Sequence, residues 1–226
     1  MELPQVQDFE ASKLGTKSYW DTVYDRENKN FQEIGDIGEI WFGEESVERM
    51  VEWVTEHVSD MNCRTVDLGC GNGHLLIELH EAGYKSLHGI DYSESAIQLA
   101  TSIASERQLA ITYQTVDFLS NPQWFQQQYD LVLDKGTYDA ISLHPDQIKA
   151  KQEGVPGPRE KYIEAVYKMI KPKSGLFLIT SCNWTKEELI ENFKQYFRYH
   201  SNVKYPVFQF GGHTGSKICT VAFTPI

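Results

Sequence analysis

A nine-residue stretch, residues 65–73, constrains the fold of this chain more than any other part of the sequence. It reads Thr-Val-Asp-Leu-Gly-Cys-Gly-Asn-Gly, and so joins an apolar, β-branched run to a turn that holds three glycines. Glycine lets a backbone turn sharply and approach a ligand closely. Leu75, Leu76 and Leu79 then repeat at helical spacing. We therefore predict a buried parallel strand, a glycine turn and a helix, which together bind nucleotide-like ligands in open α/β sheets.

Two acidic residues near this turn indicate the chemistry of the ligand. Asp91 ends the next apolar run, residues 87–90, where an acid would meet the two hydroxyls of a ribose. The glycines follow the spacing G-x-G-x-G, whereas dinucleotide sites have G-x-G-x-x-G. Asp67 would repel a pyrophosphate but attract the ammonium of a methionyl group. The pattern favours S-adenosylmethionine over NAD, and an ordinary tight turn is the alternative for the glycines alone.

The charge balance limits the classes of partner. The chain has 226 residues, with 21 Lys and Arg against 32 Asp and Glu, so its net charge is -11. This charge opposes a phosphate backbone, and we expect no direct binding to nucleic acid. The N-terminus lacks a basic region followed by an apolar one, and no apolar run reaches the ~20 residues of a membrane span. We therefore expect a soluble, cytoplasmic monomer with no membrane segment.

The cysteines do not form a metal-binding motif. No C-x-x-C pair and no histidine at zinc spacing accompanies them. We expect reduced, buried thiols and predict no metal site. These residues are Cys63, Cys70, Cys182 and Cys219.

Apolar periodicity divides the chain into a loose terminal segment, residues 1–17, and one domain, residues 18–226. The predicted fold is α/β, with a doubly wound, Rossmann-like sheet of seven strands and helices on both faces. The predicted helices are 18–28, 45–58, 74–82, 93–107, a stretch around 162–170, and 185–196. The strand that opens 65–73 is followed by predicted strands at 86–91, 111–116, 129–134, 175–181, 198–204 and 217–223. A polar segment rich in turn residues, 145–159, is expected to be a mobile surface insertion.

Two aromatic segments precede the glycine turn. Trp20 lies in the helix predicted at 18–28, which either packs against the sheet or closes over the cofactor. Trp41 lies in a glycine-rich loop, residues 35–44, of the kind that tends to carry function, and a plug in the core is its alternative. Both tryptophans are candidates for a lid over the ligand.

Further polar and aromatic residues follow the predicted strands, at the edge where open α/β sheets bind ligands. Asp117 would accept from an adenine amino group, or else cap a loop, and Phe118 would cover the adenine ring. Asp134 ends the fourth strand beside the transferred methyl group, with a turn cap as its alternative. Asn183 and Trp184 leave the fifth strand as predicted substrate contacts.

With these residues placed, nearly the whole chain resembles a class I, seven-strand S-adenosylmethionine-dependent methyltransferase. Four strings resemble the elongation factor 1A lysine methyltransferase 2 family in particular: Gly-Glu-Ile-Trp-Phe-Gly-Glu (38–44), Gly-Ile-Asp-Tyr-Ser (89–93), Asp-Lys-Gly-Thr-Tyr-Asp-Ala-Ile-Ser-Leu (134–143) and Ile-Thr-Ser-Cys-Asn-Trp-Thr-Lys-Glu-Glu-Leu (179–189). The resemblance implies an enzyme that methylates a lysine amine of translation elongation factor 1A, up to trimethyl-lysine. It implies cofactor-binding roles for Trp20, Trp41, Asp67, Gly69, Cys70, Gly71, Gly73, Asp91, Tyr92, Asp117 and Phe118.

Methyl transfer to a lysine requires a neutral amine. With a lysine pKa of ~10.4, exposing the neutral amine near pH 7.4 costs roughly 4 kcal/mol. Tyr138 and Trp184 would lower the lysine pKa by desolvation and orient the amine. Asp134 would stabilise the arriving ammonium but is too weak a base to hold its proton, so we expect Asp134 and Tyr138 to position the amine.

Two other functions remain open at this stage. A small-molecule methyltransferase would act on metabolites without a protein acceptor. A non-catalytic Rossmann module would bind a nucleotide without turnover. A nucleic-acid base is disfavoured as acceptor, because the string Asp-Lys-Gly-Thr differs from the Asn/Asp-Pro-Pro-Tyr pattern of enzymes that methylate such bases.

Overall fold

Seven strands form the central sheet of the protein. The computed structural model describes residues 9–121, 124, 127–205, 208–210, 213–215 and 218–226, with the backbone alone at 208–210 and 213–215. Residues 1–8 of the predicted loose segment lie outside the described residues. The sheet strands are β1 (Thr65–Leu68), β2 (Leu87–Asp91), β3 (Thr112–Thr115), β4 (Leu131–Lys135), β5 (Leu176–Ser181), β6 (Phe197–Val203) and β9 (Cys219–Pro225). A separate hairpin pairs β7 (Phe208–Phe210) with β8 (His213–Gly215).

The strand order places a ligand-binding crevice beside β1. The order is β3-β2-β1-β4-β5-β9-β6. Strands from β3 to β5 are parallel to their neighbours, and β9 is antiparallel to both β5 and β6. The chain builds the sheet outward from β1 in one direction and then from β4 in the other, and open α/β sheets bind ligands at this switch point. The predicted doubly wound sheet of seven strands is confirmed.

Helices cover both faces of the sheet. They are α1 (Lys17–Ile34), α2 (Gly43–His57), α3 (His74–Glu81), α4 (Glu94–Glu106), α5 (Thr137–Ser142), α6 (Asp146–Glu153), α7 (Pro158–Met169) and α8 (Lys186–Phe193). Side chains of β4 alternate between two layers. Leu131 and Leu133 join a core cluster with α2 and α3, whereas Val132 joins one with α5, α7 and α8. In the part of the chain that the structure describes, no helix has both the length and the apolar character of a membrane span.

Helix α1 is longer than the helix predicted at 18–28. Asn28 is buried, and its amide donates to the carbonyl oxygens of Tyr24 (2.9 Å) and Ser95 (2.7 Å). These hydrogen bonds satisfy a polar side chain where α1 meets α4, so the helix continues past a residue that usually favours turns. It ends at Gly35, whose φ of 72° is in the left-handed region.

Segment 145–159 contains α6 and is hydrogen-bonded to α7, and the mobility expected of it stays a prediction. Gln147 and Ala150 of α6 are buried. The Gln147 side-chain amide donates to Glu160 Oε2 (2.9 Å) and accepts from the backbone N–H of Arg159 (2.9 Å). The buried side-chain amide of Gln147 thus uses both its N–H donor and its oxygen acceptor in hydrogen bonds that join α6 to α7.

The N-terminal strap, residues 9–17, contacts the domain at several points, and the looseness expected from its polar composition stays a prediction. The Phe9 ring meets the Trp184 ring edge-on, with centroids 4.8 Å apart. The backbone N–H of Ser12 donates to the carbonyl oxygen of Leu143 (3.1 Å). The ring contact covers Phe9, and the hydrogen bond pairs a backbone N–H of the strap with a carbonyl oxygen of the domain. The strap therefore lies against the domain.

We predict that Gly15→Ala detaches the strap. Gly15 ends a 3₁₀ turn, Lys13–Gly15, and an added Cβ would lie 2.3 Å from the backbone carbonyl oxygen of Leu143. Because that atom is backbone, the strap must move, at a cost of about 1–3 kcal/mol. Faster amide exchange and proteolysis within residues 9–17 are expected. Ser12→Ala, which removes one side-chain cap of the turn, is the control, and equal protection in both variants would contradict the packing.

Candidate active site

A cavity of about 400 Å³ lies beyond the carboxyl ends of the parallel strands, a volume within the range of small-molecule sites. The sequence-predicted residues that line it are Trp20, Trp41, Gly69, Cys70, Gly71, Asp91, Tyr92, Asp117, Phe118 and Asn183. Those that do not line it are Asp67, Gly73, Asp134, Tyr138 and Trp184. Most of the predicted cofactor residues therefore converge on one cavity, whereas the predicted catalytic pair does not reach it.

The glycine turn is held in place by other parts of the chain. Gly69 and Gly71 have φ angles of 65° and 54°, in the left-handed region. A Cβ on Gly69 would lie 2.2 Å from the Thr137 hydroxyl oxygen, and one on Gly71 would lie 2.4 Å from that of Tyr24. Both conformation and space therefore require glycine. Gly73 caps α3 and lies against Tyr113 of β3, and it is not among the residues that line the cavity. Its cofactor contact stays a prediction.

Asp91 is fixed against the glycine turn at the end of β2. Its Oδ2 accepts from the backbone N–H of Gly71 (3.2 Å), and its Oδ1 accepts from that of Ser93 (2.9 Å). Burial raises the pKa of Asp91 to about 6, although these two hydrogen bonds lower it. Each carboxylate oxygen keeps a further lone pair. Asp91 can therefore accept hydrogen bonds from hydroxyl groups in the cavity.

Asp117 and Phe118 extend the cavity wall past β3. Asp117 Oδ1 accepts from the backbone N–H groups of Leu119 (3.1 Å) and Ser120 (3.3 Å), and its Oδ2 accepts from the Ser120 hydroxyl (2.7 Å). It is thus the loop cap that the sequence allowed as an alternative, and it also lines the cavity. Phe118 is held edge-on against Tyr162, with ring centroids 5.8 Å apart. Its ring presents a fixed apolar surface.

Lys135, rather than Asp67, presents a charge to the cavity. Asp67 lies on β1 between Val66 and Leu68, so alternation directs it to the opposite layer, where it is buried. Burial raises the pKa of Asp67 and lowers that of Lys135, while their attraction opposes both shifts. The Lys135 ammonium donates to the carbonyl oxygen of Trp41 (3.0 Å). The expectation that Asp67 meets a ligand ammonium directly is corrected, because its charge interacts with a lysine of the chain itself.

The loop before α2 contributes a residue that the sequence interpretation missed. Phe42 lines the cavity and has a φ of 66°, a rare value for a residue other than glycine. Its ring lies against Gly136, where an added Cβ would be 3.0 Å from Phe42 Cζ. The neighbouring Trp41 meets Trp20 edge-on, with ring centroids 5.0 Å apart. The two lid candidates, Trp20 and Trp41, therefore contact each other. The left-handed backbone conformation of the adjacent Phe42 costs about 1–3 kcal/mol.

Asp134 holds the turn between β4 and α5 from inside the core. Its carboxylate accepts from the backbone N–H groups of Thr137 (2.9 Å) and Tyr138 (2.9 Å) and from the hydroxyl of Tyr162. The side chain is fully buried, and burial raises its pKa to about 7 while the hydrogen bonds lower it. Asp134 is therefore the turn cap considered as an alternative, and the predicted contact with an acceptor amine is corrected.

Tyr138 and Trp184 belong to the aromatic core between α5, α7 and α8. Tyr138 is fully buried, with its ring centroid 5.1 Å from those of Tyr162 and Phe193. Trp184 is buried between the Phe9 ring and the guanidinium of Arg159. Helix α5 begins at Thr137, and in this phase its second residue, Tyr138, faces the core. Neither side chain takes the substrate-facing position predicted for it.

Asp139 is a cavity residue that the sequence interpretation did not single out. It is 5% exposed and lines the cavity from the first turn of α5. Its Oδ1 accepts from the Ser181 hydroxyl (2.5 Å), and its Oδ2 accepts from the backbone N–H of Cys182 (2.8 Å). Burial raises its pKa, and these hydrogen bonds lower it. The carboxylate thus joins α5 to the end of β5 at the cavity wall.

The cysteines carry free thiols, and their burial varies. Cys63 and Cys70 are buried, Cys219 is half-buried and Cys182 is exposed, so the expectation of buried thiols is wrong for Cys182. Among the described residues, no group of three or more His, Cys, Asp or Glu side chains is placed to hold a metal ion.

Comparisons with known proteins give consistent similarities. A family model described as a methyltransferase domain matches residues 59–218. EEF1A lysine methyltransferase 2 of Danio rerio is 45% identical over 219 residues, covering 96% of this chain and 90% of that protein. Protein-lysine N-methyltransferase efm4 of Schizosaccharomyces pombe is 46% identical over 229 residues, covering 94% of each.

Solved structures share the fold at lower sequence identity. The N-methyltransferase NodS of Bradyrhizobium japonicum, in complex with S-adenosyl-L-homocysteine, matches with a TM-score of 0.63 at 15% identity. The match covers 90% of this chain and 98% of that one. The PH0226 protein of Pyrococcus horikoshii also matches with a TM-score of 0.63 at 15% identity, covering 88% of this chain and 99% of that one.

We predict that Asp134→Ala lowers the free energy of unfolding by ~3 kcal/mol or more. The change leaves two backbone N–H groups and the Tyr162 hydroxyl without their buried acceptor, at about 1–3 kcal/mol for each group. Tyr162→Phe, which removes only one of the three hydrogen bonds, is the control and should lose less. Urea denaturation measures both. An Asp134→Ala loss no larger than that of Tyr162→Phe would contradict the capping role.

Proposed function

This chain belongs to the EEF1A lysine methyltransferase 2 family, and we propose that it transfers methyl groups from S-adenosylmethionine to a lysine of translation elongation factor 1A. The proposal is carried by sequence similarity. Relatives named EEF1A lysine methyltransferase 2 or protein-lysine N-methyltransferase are 42–46% identical over nearly the whole chain. The cavity at the switch point of the sheet supports the proposal, because the predicted nucleoside-binding residues line one part of it and residues of α5 and the strap line another.

The cavity residues suit this cofactor. The Asp91 carboxylate, held by the glycine turn, has free lone pairs for ribose hydroxyls. Phe118 offers an apolar surface to the adenine, and Ser120 and Asp117 lie at its edge. Lys135 supplies a cation for the methionyl carboxylate, as its side chain lines the cavity on the side of the glycine turn. When bound, S-adenosylmethionine supplies an electrophilic methyl group on a sulfonium.

The residues of the chain then have three tasks. They bind and orient the cofactor, exclude water, and favour the neutral form of the acceptor amine. Trp20, Trp41 and the N-terminal strap enclose one side of the cavity, since the strap residues Leu14 and Gly15 also line it. Trp20 is tied to the strap because its indole N–H donates to the carbonyl oxygen of Leu14 (2.7 Å). A site with little water disfavours a charged ammonium and so reduces the cost of exposing the amine lone pair.

We propose further that the acceptor is a protein, that the enzyme acts in the cytoplasm, where translation factors work, and that it is a monomer. The net charge of -11 supports binding to a basic protein surface and opposes direct binding to nucleic acid. The small-molecule alternative has no support from the named relatives. Family membership makes a non-catalytic module the weaker explanation of the cavity.

We predict that the purified protein methylates a lysine of elongation factor 1A. Incubation with labelled S-adenosylmethionine and that factor should add methyl groups to one lysine, located by mass spectrometry of peptides. Asp91→Ala is the matched control, since removing an ionised acceptor should weaken cofactor binding roughly 10- to 150-fold. Label that appears only in RNA or in small metabolites would refute the proposal.

We also predict that cofactor affinity depends on the ionisation of Asp91. Its folded-state pKa of about 6 means that the carboxylate is ionised above that pH and protonated below it. Since the ionised form accepts the hydroxyl hydrogen bonds, affinity should be constant above pH ~7 and fall by up to about tenfold per unit below 6. Titration calorimetry with S-adenosylhomocysteine measures it. Asp91→Asn should bind weakly without this pH dependence, and an unchanged wild-type affinity at pH 5 would remove Asp91 from the ribose site.

A further inference from the structure

The cavity has a second half that the predicted cofactor residues do not occupy. Asp91, Tyr92, Asp117 and Phe118 follow β2 and β3, on one side of β1. On the other side, beyond β4 and β5, the wall combines apolar groups from the strap and the α5 region with polar ones. The apolar residues include Leu14, Ala140, Ile141, Leu143 and Pro158, and the polar ones, besides Asp139, are His144, Asp146, Lys161, Cys182 and Asn183. This half is where an acceptor must approach, because it borders the same cavity from the opposite end.

Asp139 is the buried carboxylate of that half. It is 5% exposed, whereas the other acid there, Asp146, has an exposed side chain. Its carboxylate accepts hydrogen bonds from the Ser181 hydroxyl and the backbone N–H of Cys182, and the Cys182 thiol and the backbone N–H of Asn183 also interact with it. Because none of these donors is a cation, the negative charge of Asp139 has no charged partner among them. Asp134, in contrast, lies outside the cavity.

The combination matches the shape and chemistry of a lysine side chain. Lysine has an apolar four-carbon stem and a compact ammonium with three N–H donors. Apolar groups accommodate the stem, and the negative charge of a buried carboxylate attracts the head. We propose that Asp139 binds the ammonium of the target lysine, with Leu14, Ile141 and Leu143 around its stem. This inference rests on the proposed function, because it assigns the acceptor end of that same site.

Asp139 also acts on the geometry of the acceptor. An ammonium held by N–H···O bonds to a fixed carboxylate has a fixed direction. After the proton leaves to solvent, the amine lone pair attacks the methyl carbon, the carbon–sulfur bond breaks, and its electron pair stays on sulfur. The carboxylate is fixed because its donors lie on β5 and the residue after it, while Asp139 itself lies on α5. Asp139 is therefore a substrate-binding residue, distinct from the core cap Asp134.

A purely structural role for Asp139 is the competing explanation, since its hydrogen bonds also fix the start of the loop after β5. The two explanations differ in what they predict for the substrate. A loop-fixing role affects all substrates equally, whereas an ammonium-binding role affects only a charged target side chain. Comparing a lysine substrate with one in which the methylated lysine is replaced by methionine, which is neutral and similar in length, separates them.

The test is a double-mutant cycle on binding. Elongation factor 1A, with the methylated lysine intact or replaced by methionine, is titrated by calorimetry into enzyme saturated with S-adenosylhomocysteine. Wild-type enzyme should prefer the lysine form roughly 10- to 100-fold, the range for a hydrogen-bonded charge. Asp139→Asn should reduce the preference to less than about threefold. A preference retained by Asp139→Asn would overturn the assignment.

Two control variants identify the cause of any loss. Asp60→Asn removes one negative charge before β1, at the opposite edge of the sheet, and keeps the acceptor for the backbone N–H of Asn62. It should bind both substrates as the wild type does. Ser181→Ala removes one donor to Asp139 and the acceptor of the backbone N–H groups of Asn183 and Trp184, but it leaves the carboxylate in place. It should therefore prefer lysine less than the wild type does and more than Asp139→Asn does. Loss of the preference in Ser181→Ala, with Asp139→Asn unchanged, would assign the effect to the loop and overturn the proposal.

A smaller probe makes the inference independent of the protein substrate. If elongation factor 1A accepts no methyl group, the proposed function fails, and n-butylammonium then tests Asp139 alone. Saturation-transfer NMR should show n-butylammonium, but not n-butanol, contacting the wild-type enzyme saturated with S-adenosylhomocysteine, and Asp139→Asn should lose this contact. Equal contact in both proteins would overturn the assignment. Thermal unfolding and S-adenosylhomocysteine affinity, unchanged in Asp139→Asn, establish that the variant is folded.

Discussion

The active site depends on the hydrogen bonds that the buried Asp134 carboxylate accepts at the end of β4. They fix the first residues of α5, and so the rotation of that helix about its axis. With this rotation, the Thr137 hydroxyl donates to the carbonyl oxygen of Leu68 (2.6 Å) and packs on Gly69. The same rotation turns Tyr138 into the core and Asp139 to the cavity. One carboxylate outside the cavity thus determines which side chains the cavity displays.

Burial of several acids close together gives the site its electrostatic character. Asp67, Asp91, Asp134 and Asp139 are all buried, and removing them from water raises the pKa of each. Lys135 is the cation of the chain whose attraction to Asp67 partly offsets that cost. Lys17 does the same for Asp91. Buried acids that outnumber the cations near them favour a cationic guest over an anionic one. Both substrates of the proposed reaction, a sulfonium and an alkylammonium, carry positive charge.

The sequence predicted the cofactor-binding part of the site better than the part that would bind the acceptor. Gly69, Gly71, Asp91 and the residues after β3 line one cavity, as their positions at strand ends of a parallel sheet predict. Family membership was also recognised, since it rests on long strings of residues. Asp67 was misplaced, although the alternation along β1 contained the signal: its neighbours Val66 and Leu68 face one layer, so it faces the other.

Helix phase explains the errors at the acceptor end. The end of a strand predicts which residues lie in the turn that follows it. It does not predict which way each residue of the next helix faces, because moving the helix start by one residue rotates every side chain by about 100°. The sequence string around Asp134, Tyr138 and Asp139 does not fix where α5 begins, and so which of the three faces the cavity. The N-terminal strap presented the same difficulty, because its contacts are long-range and its composition is polar. Tertiary contacts, rather than local preference, decide such positions.

A carboxylate at the acceptor end has opposite effects on binding and on chemistry. It favours the ammonium, whereas transfer requires the neutral amine, so its attraction adds to the cost of deprotonation that the apolar walls reduce. The balance changes as methyl groups are added. An unmethylated lysine offers three N–H donors to Asp139, and a trimethylated lysine keeps its charge but offers none. Because hydrogen bonds to a charged group are worth about 1.5–3 kcal/mol, the carboxylate would hold the starting lysine more tightly than the trimethylated product. The same residue that recruits the substrate would therefore release it once methylation is complete.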